Sequence, residues 1–317
     1  MKVVAIAHPM QALVKYHGLK EWRLRIPYHD SISVNMSALS TRTKIEVVDS
    51  EKDEVTLNGE RIRGRGLERV ISVAEHVRKL AGREGRVKIE SENSISYSEA
   101  KGLGFSSSGG AALAAALFKV YGLDLNLQKI STVARRFSGS ACRSVVGGYA
   151  QWYAGRDDES SYADRIAEGK DLDLGIVIVP LSSEVRTEEA HREVETSPFF
   201  NARVKSASKR CTEMRNAILD GNLMRVAQLA EIDSLELHAL TMTGEKGLVA
   251  YKPESILLMS EIRRMRQNGL NAYFSMQTGP SVFINTYPAE MKEIRKWVEE
   301  LGLKTMKSRV GGGVKLV

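Results

Sequence analysis

Two stretches carry the residue types from which chemistry is built. "EAKGLGFSSSGGAALAAAL" (99–117) joins an expected strand to an alanine-rich helix through glycines and small hydroxyl residues. In such a turn, unpaired backbone N–H groups and the helix dipole point at a bound anion. Gly102, Gly104, Gly109 and Gly110 permit close backbone approach, and Ser106, Ser107 and Ser108 add hydroxyl donors. The same composition equally suits a turn that caps a core helix. It is not a Walker A loop, because no Gly-Lys-Ser/Thr follows the glycines. The second stretch, "YFSMQTGPSV" (273–282), sets Gln277 at a glycine-proline turn. An amide donates and accepts hydrogen bonds but has no accessible pKa near 7, so it cannot act as a general base.

Elements on either side must hold these residues. "VVAIA" reads as a strand, and "SISVNMS", "RTKIEVVDS" and "EVTLNGE" read as a β-meander with a turn at 58–60. "GLERVISVAEHVRKLAG" (66–82) has helical spacing and a glycine past its end. "RVKIESENSI" returns as a strand, and the alanine run stops at Gly122. A helix over "NLQKISTVARRFSG", a short helix over "SACRSVVGG", and strands over "GYAQWYAG" and "LGIVIVPLS" follow. Beyond Pro180 the pattern is largely helical, interrupted by the pair "NAYFSMQ" and "SVFINTY". These elements predict an α+β protein of two units, 1–182 and 183–317.

Composition narrows the function classes. With 317 residues, 43% apolar and 27% charged, the chain has the make-up of a soluble globular enzyme. No apolar run approaches the ~20 residues of a membrane span. The start "MKVVAIA" reads as a buried first strand rather than a signal peptide, which predicts a cytoplasmic protein without a membrane role. Cys142 and Cys211 are too few for a disulfide framework or metal cluster, and no metal is expected. The net charge of +7 is interleaved with acids, as in "EIRRMRQ", so small polyanions fit better than nucleic acid. His8, His29 and His191 titrate near neutrality when exposed, but none shows a partner in sequence and each reads as a packed residue.

The order GLGxSSSG after a strand resembles the second motif of the GHMP kinase superfamily, a two-domain α+β fold. "ALVKYHGLKEWRLRIPYHDSISV" (12–34) resembles the Val-Lys-Tyr-Trp-Gly-Lys … Pro-x-x-x-Ser-x-Ser pattern of mevalonate diphosphate decarboxylases. "SGSACRSVVGGYAQW" (138–152) is nearly that family's Gly-Ser-Ala-Cys-Arg-Ser signature, and "ETSPFF", "DSLELHAL" and "TGPSVFINT" follow in order. "AHPMQALVKYHG" and "EEAH" look like the archaeal branch that decarboxylates a monophosphate. The resemblance covers almost the full chain. It implies a phosphorylated 3-hydroxy acid of the mevalonate type as the small-molecule partner, and a homodimer.

The resemblance also implies roles. Arg143 matches the carboxylate clamp, and a guanidinium grips a carboxylate through two parallel hydrogen bonds. Ser138 and Ser140 lie on the same turn as possible donors. Lys15, Tyr16 and Lys20 match the stretch that meets the phosphorylated end of the substrate, with His17 where the diphosphate enzymes have tryptophan. "RTEEAH" stands in place of a serine pair of the diphosphate branch, and Arg186 in it is a candidate monophosphate ligand; Arg65 and Arg69 are similar candidates.

Several departures from this pattern agree with each other. Gln277 stands at the position of the family's aspartate, and Ser281 at its asparagine. Ser98 and Glu99 replace Pro-Thr in the phosphate loop, and Phe105 replaces a serine. A substrate already phosphorylated on its 3-oxygen needs neither a base nor ATP. The expectation is therefore an ATP-independent decarboxylase of mevalonate 3,5-bisphosphate that uses no cofactor. ATP- and Mg-dependent decarboxylation of the 5-phosphate or 5-diphosphate, a 3-kinase, and a sensor without turnover remain as alternatives.

Overall fold

The computed structural model describes residues 1–96, 102–183 and 185–317. Ser98 and Glu99 lie outside them. A six-stranded sheet has the order β16-β1-β6-β9-β7-β8. Its strands are β1 (Lys2–Ala7), β6 (Thr41–Val48), β7 (Glu54–Leu57), β8 (Glu60–Arg61), β9 (Arg86–Asn93) and β16 (Lys315–Leu316). A second sheet runs β11-β10-β5-β2, from Ala163–Ala167, Tyr149–Trp152, Ser31–Asn35 and Met10–Val14. The third runs β13-β14-β12-β15, from Tyr273–Met276, Val282–Thr286, Gly175–Val179 and Met306–Ser308. A small ribbon pairs β3 (Leu19–Glu21) with β4 (Ile26–Pro27).

The helices in chain order are α1 (Gly64–Ala81), α2 (Phe105–Val120), α3 (Leu127–Phe137), α4 (Ala141–Val146) and α5 (Thr187–Thr196). They continue with α6 (Phe200–Leu219), α7 (Leu223–Met242), α8 (Pro253–Gln267) and α9 (Met291–Glu300). This is the expected α+β architecture. The expected helix over 66–82 ends where predicted, with Gly82 at φ 58° donating to the carbonyls of Arg78 and Lys79. Asn58 and Gly59, both at positive φ, form the turn of the β7–β8 hairpin.

The meander is not formed. β5 lies in the second sheet, and β6 sits between β1 and β9. β7 pairs parallel with β9, Val55 opposite Ile89. A parallel pair needs a crossover, and α1 supplies it, so adjacency in sequence did not become adjacency in the sheet. The sheets also interleave the two halves of the chain: β12 joins strands from beyond residue 270, and β16 returns to β1. One apolar core, with Leu13, Ile32, Phe105 and Ile176 against Met214, Leu229 and Phe283, ties both halves together. Burial of each such side chain stabilises by about 1.5–3 kcal/mol.

Candidate active site

β2 is buried along its whole length, and it delivers Lys15 into the interior. Two helices fix its backbone there. The Lys15 N–H donates to Asp233 Oδ2 on α7 (2.8 Å), and its carbonyl accepts from Arg203 Nη2 on α6 (2.8 Å). Asp233 in turn pairs with Arg203 (2.7 Å) and Arg210 (3.0 Å). The Lys15 Nζ stands 3.3 Å from Gln277 Oε1. Gln277, in the turn between β13 and β14, also accepts the Ala12 N–H (3.1 Å), and its Nε2 donates back to the Ala12 carbonyl (3.4 Å). Its amide is therefore oriented from both sides. Burial, and secondarily the neighbouring Arg143, push the Lys15 amine down to about 7.

Arg143 comes from α4, and the turn ahead of it packs tightly against Tyr16 because residue 139 is glycine. A Cβ there would lie 2.5 Å from the Tyr16 hydroxyl oxygen. Arg143 is fully buried, with Nη1 donating to Ser31 Oγ (2.6 Å) and its guanidinium carbon 5.6 Å and 5.8 Å from the Tyr16 and Trp152 rings. Its Nε and Nη2 have no partner among the described residues, and no carboxylate there pairs with it. Burial holds its pKa below the usual guanidinium value. Nε and Nη2 form one edge of the guanidinium fork. Leaving such donors buried and unsatisfied costs about 1–3 kcal/mol or more, which a bidentate carboxylate would remove.

Imidazoles close the wall beside Lys15. His191 stacks on Tyr16 (4.8 Å), lies 4.6 Å from His17, and accepts the Gly18 N–H at Nδ1 (3.1 Å). Burial drives His191 to about 3, with the nearby Lys15 and Arg25 adding to it, and burial drives His238 to about 4. Both are neutral at pH 7, so the site's charge is carried by its arginines and Lys15.

Trp22, which meets the His191 ring edge-on at 6.5 Å, also lines a cavity of ≈ 240 Å³ together with Arg25, Arg65, Arg69, Arg136 and the carboxylate-bearing Glu68. Glu188 on α5 binds Arg65 and Arg69 here and stands 3.6 Å from Arg25. A larger cavity of ≈ 520 Å³, lined in part by His29, Gln151, Arg156 and Arg215, includes none of Lys15, Tyr16, Arg143 or Gln277.

The structure thus brings together Lys15, Tyr16, Arg143 and Gln277, with Arg69 and Arg65 at the outer end. Ser138 and Ser140 face each other on the clamp turn (Oγ–Oγ 3.2 Å). Lys20 is exposed on β3, and Arg186 is exposed just ahead of α5, so neither reaches the buried cluster. His29 and His191 are buried, and His8 bonds the Leu39 carbonyl (2.7 Å). Sequence reasoning missed Arg25, Ser31, Glu188, Arg203 and Asp233. Their partners are more than a hundred residues away for Ser31 and Glu188, and no local spacing announces such pairs.

At the glycine-rich loop, Gly102 and Gly104 adopt φ of 89° and 82°, and a Cβ on Gly104 would lie 3.1 Å from the Met10 carbonyl. Ser107 Oγ accepts the Met10 N–H (3.2 Å) and donates to the Gly104 carbonyl (2.7 Å). Ser108 bonds the Phe105 carbonyl (3.1 Å) and Thr41 (2.7 Å), while Ser106 is exposed. Phe105 packs its ring into the core at the first turn of α2. Among the described residues no group of three or more acidic, His or Cys side chains is placed to hold a metal ion.

The fold is that of a GHMP-type protein, and it encloses a buried, uncompensated arginine beside a lysine. Two family models cover the chain: the diphosphomevalonate decarboxylase-like N-terminal domain over residues 7–163, and the mevalonate 5-diphosphate decarboxylase C-terminal domain over 182–309. The chain belongs to this family of carboxy-lyases of the mevalonate pathway. It is 40% identical to phosphomevalonate decarboxylase of Haloferax volcanii over 314 residues, 98% of this chain and 96% of that one. It is 30% identical to diphosphomevalonate decarboxylase of Candida albicans, covering 86% and 81% of the two chains. Mevalonate diphosphate decarboxylase from Staphylococcus aureus superposes with a TM-score of 0.93 at 30% identity, covering 100% and 98%. A structure described as MDDEF in complex with MVAPP, AMPPCP and magnesium also superposes at 0.93, with 29% identity and 100% and 99% coverage.

Proposed function

We propose that this chain decarboxylates a 3-hydroxy acid of the mevalonate type that reaches it already phosphorylated on both the 3-oxygen and C5, releasing phosphate, CO2 and isopentenyl phosphate without a nucleotide. The observation that carries this reading is the free, buried fork edge of Arg143 beside Lys15 and the amide of Gln277. Arg143 holds the substrate carboxylate through Nε–H and Nη2–H, and Ser31 fixes the guanidinium plane. The C3–O bond breaks and its electron pair leaves with the phosphate. The electron pair of the C1–C2 bond then becomes the C2–C3 double bond as CO2 departs. Lys15, protonated once a phosphate dianion lies beside it, stabilises the charge gathering on the leaving group. Gln277 orients Lys15 and accepts no proton. The arginine pocket beyond Tyr16 receives the C5 phosphate, with Arg69 and Arg25 as its ligands.

The test is to supply mevalonate 3,5-bisphosphate in nucleotide-free buffer and follow isopentenyl phosphate and CO2. Product at a rate unchanged by ATP supports the proposal; strict dependence on ATP with stoichiometric ADP overturns it. A second reading, ATP-dependent decarboxylation of the 5-phosphate, draws on Lys15, whose pKa near 7 suits a proton acceptor. The ADP measurement separates the two. The same proposal includes a cytoplasmic homodimer, checked by light scattering, and units dividing near 182/183, checked by limited proteolysis. No helix among the described residues is long and apolar enough to cross a membrane.

A further inference from the structure

Three of the arginines that line the ≈ 240 Å³ cavity are already bound to an anion supplied by the fold. Glu188 lies in the first turn of α5, and both of its carboxylate oxygens are engaged: Oε2 by Arg65, Oε1 by Arg69 and, at 3.6 Å, by Arg25. Its neighbour Glu189 faces elsewhere, toward Lys246 at 3.7 Å. Three cations converging on two oxygens is the coordination that a phosphoryl group receives from arginines.

The position of this carboxylate is rigid relative to the reacting end. His191, three residues further along the same helix, stacks on Tyr16 at 4.8 Å, and Tyr16 lies under the Arg143 guanidinium. A shift of α5 would therefore disturb the Tyr16 stack as well. The guanidinium of Arg192, on the same helix, sits 4.2 Å from the Trp22 ring and closes another side. The Glu188 side chain is only 19% exposed, so water screens it weakly. An anion entering this pocket meets Arg25, Arg65 and Arg69 already engaged by the Glu188 carboxylate.

We propose that Glu188 is a built-in substitute for a second phosphoryl group, so that the pocket accepts one phosphate at the C5 end and rejects a diphosphate. This rests on the reading of the ligand as a 5-phosphorylated acid. The specificity works through repulsion as much as attraction, because Glu188 both occupies the outer arginines and opposes any further anion. Glu188 is a specificity-determining residue here and makes no contact with the reacting carbons.

The experiment uses the full chain, titrated calorimetrically with orthophosphate and pyrophosphate, and then with the 5-phosphate and 5-diphosphate of the hydroxy acid. Wild-type protein binds pyrophosphate no more tightly than orthophosphate, despite its larger charge. Glu188→Gln, which keeps size and hydrogen bonding, shifts the pyrophosphate-to-phosphate affinity ratio at least tenfold toward pyrophosphate, and the acids follow in parallel. Glu189→Gln, one residue away, leaves the ratio alone. A wild-type protein that already prefers pyrophosphate tenfold, or an unshifted ratio in a folded Glu188→Gln protein, overturns the inference. The inorganic pair reads the pocket independently of the reaction. A shifted ratio with no binding of either acid would refute the proposed function but not the pocket's built-in anion; nucleotide-free turnover with an unshifted ratio would do the reverse.

Discussion

Arg143 and Arg203 are both buried, at 0% and 2% exposure, and both meet the Lys15–Tyr16 segment, Arg203 at the Lys15 carbonyl and Arg143 at the Tyr16 ring. Their surroundings differ in one respect. Arg203 meets Asp233 at 2.7 Å and the Lys15 carbonyl at 2.8 Å, leaving only Nε without a partner. Burial pulls its pKa down, but Asp233 more than reverses this, and the net shift is upward. Arg143 meets a serine hydroxyl and two aromatic rings, leaves the Nε–Nη2 edge bare, and is shifted downward by its burial. One guanidinium is finished by the fold and serves to hold β2 against α6 and α7. The other is left for a ligand to finish. A buried charge thus reports scaffold or site according to whether the chain itself provides its counter-ion.

Replacing each by methionine should separate the two roles by the largest effects expected here. Arg143→Met removes the carboxylate grip and should lower kcat/KM for decarboxylation by a thousandfold or more, about 4 kcal/mol of transition-state stabilisation. Its melting temperature should hold or rise, because an unpaired buried charge is lost. Arg203→Met leaves Asp233 buried against a reduced set of cations and should cost about 3–5 kcal/mol of stability. Thermal melts and steady-state kinetics on both variants check this. The comparison breaks if Arg143→Met melts below Arg203→Met, or retains near-wild-type turnover.

The difference between the two arginines also marks what was legible in the sequence. Arg143 stood inside a local signature, "SGSACRS", whose glycine and serines have their meaning within one turn. Helices α1 to α4 could be read because helical periodicity and glycine stops are local too. Asp233 and Arg203 belong to separate helices, and their pairing with the Lys15 backbone crosses 218 and 188 residues. Nothing within a window of sequence distinguishes them from the other charges on those helices. Glu188 was in plain view in "RTEEAH", but its meaning depends on α1 bringing Arg65 and Arg69 to it. The misread meander has the same cause: strand pairing is decided by crossovers and core packing rather than by order along the chain.

Buried imidazoles set the next effect in size. His17, His29, His191 and His238 are all held below the usual histidine pKa, chiefly by burial, with His29 and His238 near 4 and His191 near 3. The unfolded chain takes up protons as pH falls through about 6.5, while the folded chain refuses them, so stability is lost from there down to about 4. Each histidine contributes roughly 1.4 kcal/mol per pH unit within that window. Denaturant melts between pH 7 and 4.5 should therefore show a steep fall, and His238→Phe should flatten it. A stability that is level across this range would mean that these rings are not buried and neutral. Arg203 bears on the same measurement, because its positive charge adds to burial in lowering His29, and its loss would soften the slope.

Lysines extend the contrast between groups the fold has enclosed and groups it has left outside. Lys15 is 8% exposed and lowered to about 7, whereas Lys20 is exposed on β3. For Lys15 the unfolded chain binds the proton more tightly from pH 7 up to about 10.5, so the stability penalty is full below pH 7 and is lifted as pH rises through that window. Lys15→Met should accordingly raise the melting temperature at pH 7, lose that advantage near pH 10, and reduce turnover at least a hundredfold. Gln277→Asp should place an anion beside the same amine and raise its pKa by one unit or more, readable by NMR titration, yet yield no ADP from ATP, since Phe105 still packs at the start of α2. Lys20→Ala should be the smallest change, within about threefold in kcat/KM, because an exposed ammonium in high dielectric adds little to a phosphate contact. A loss of a hundredfold at Lys20 would mean that β3 and β4 fold inward over the bound acid, and the boundary drawn between enclosed and exposed cations would have to move.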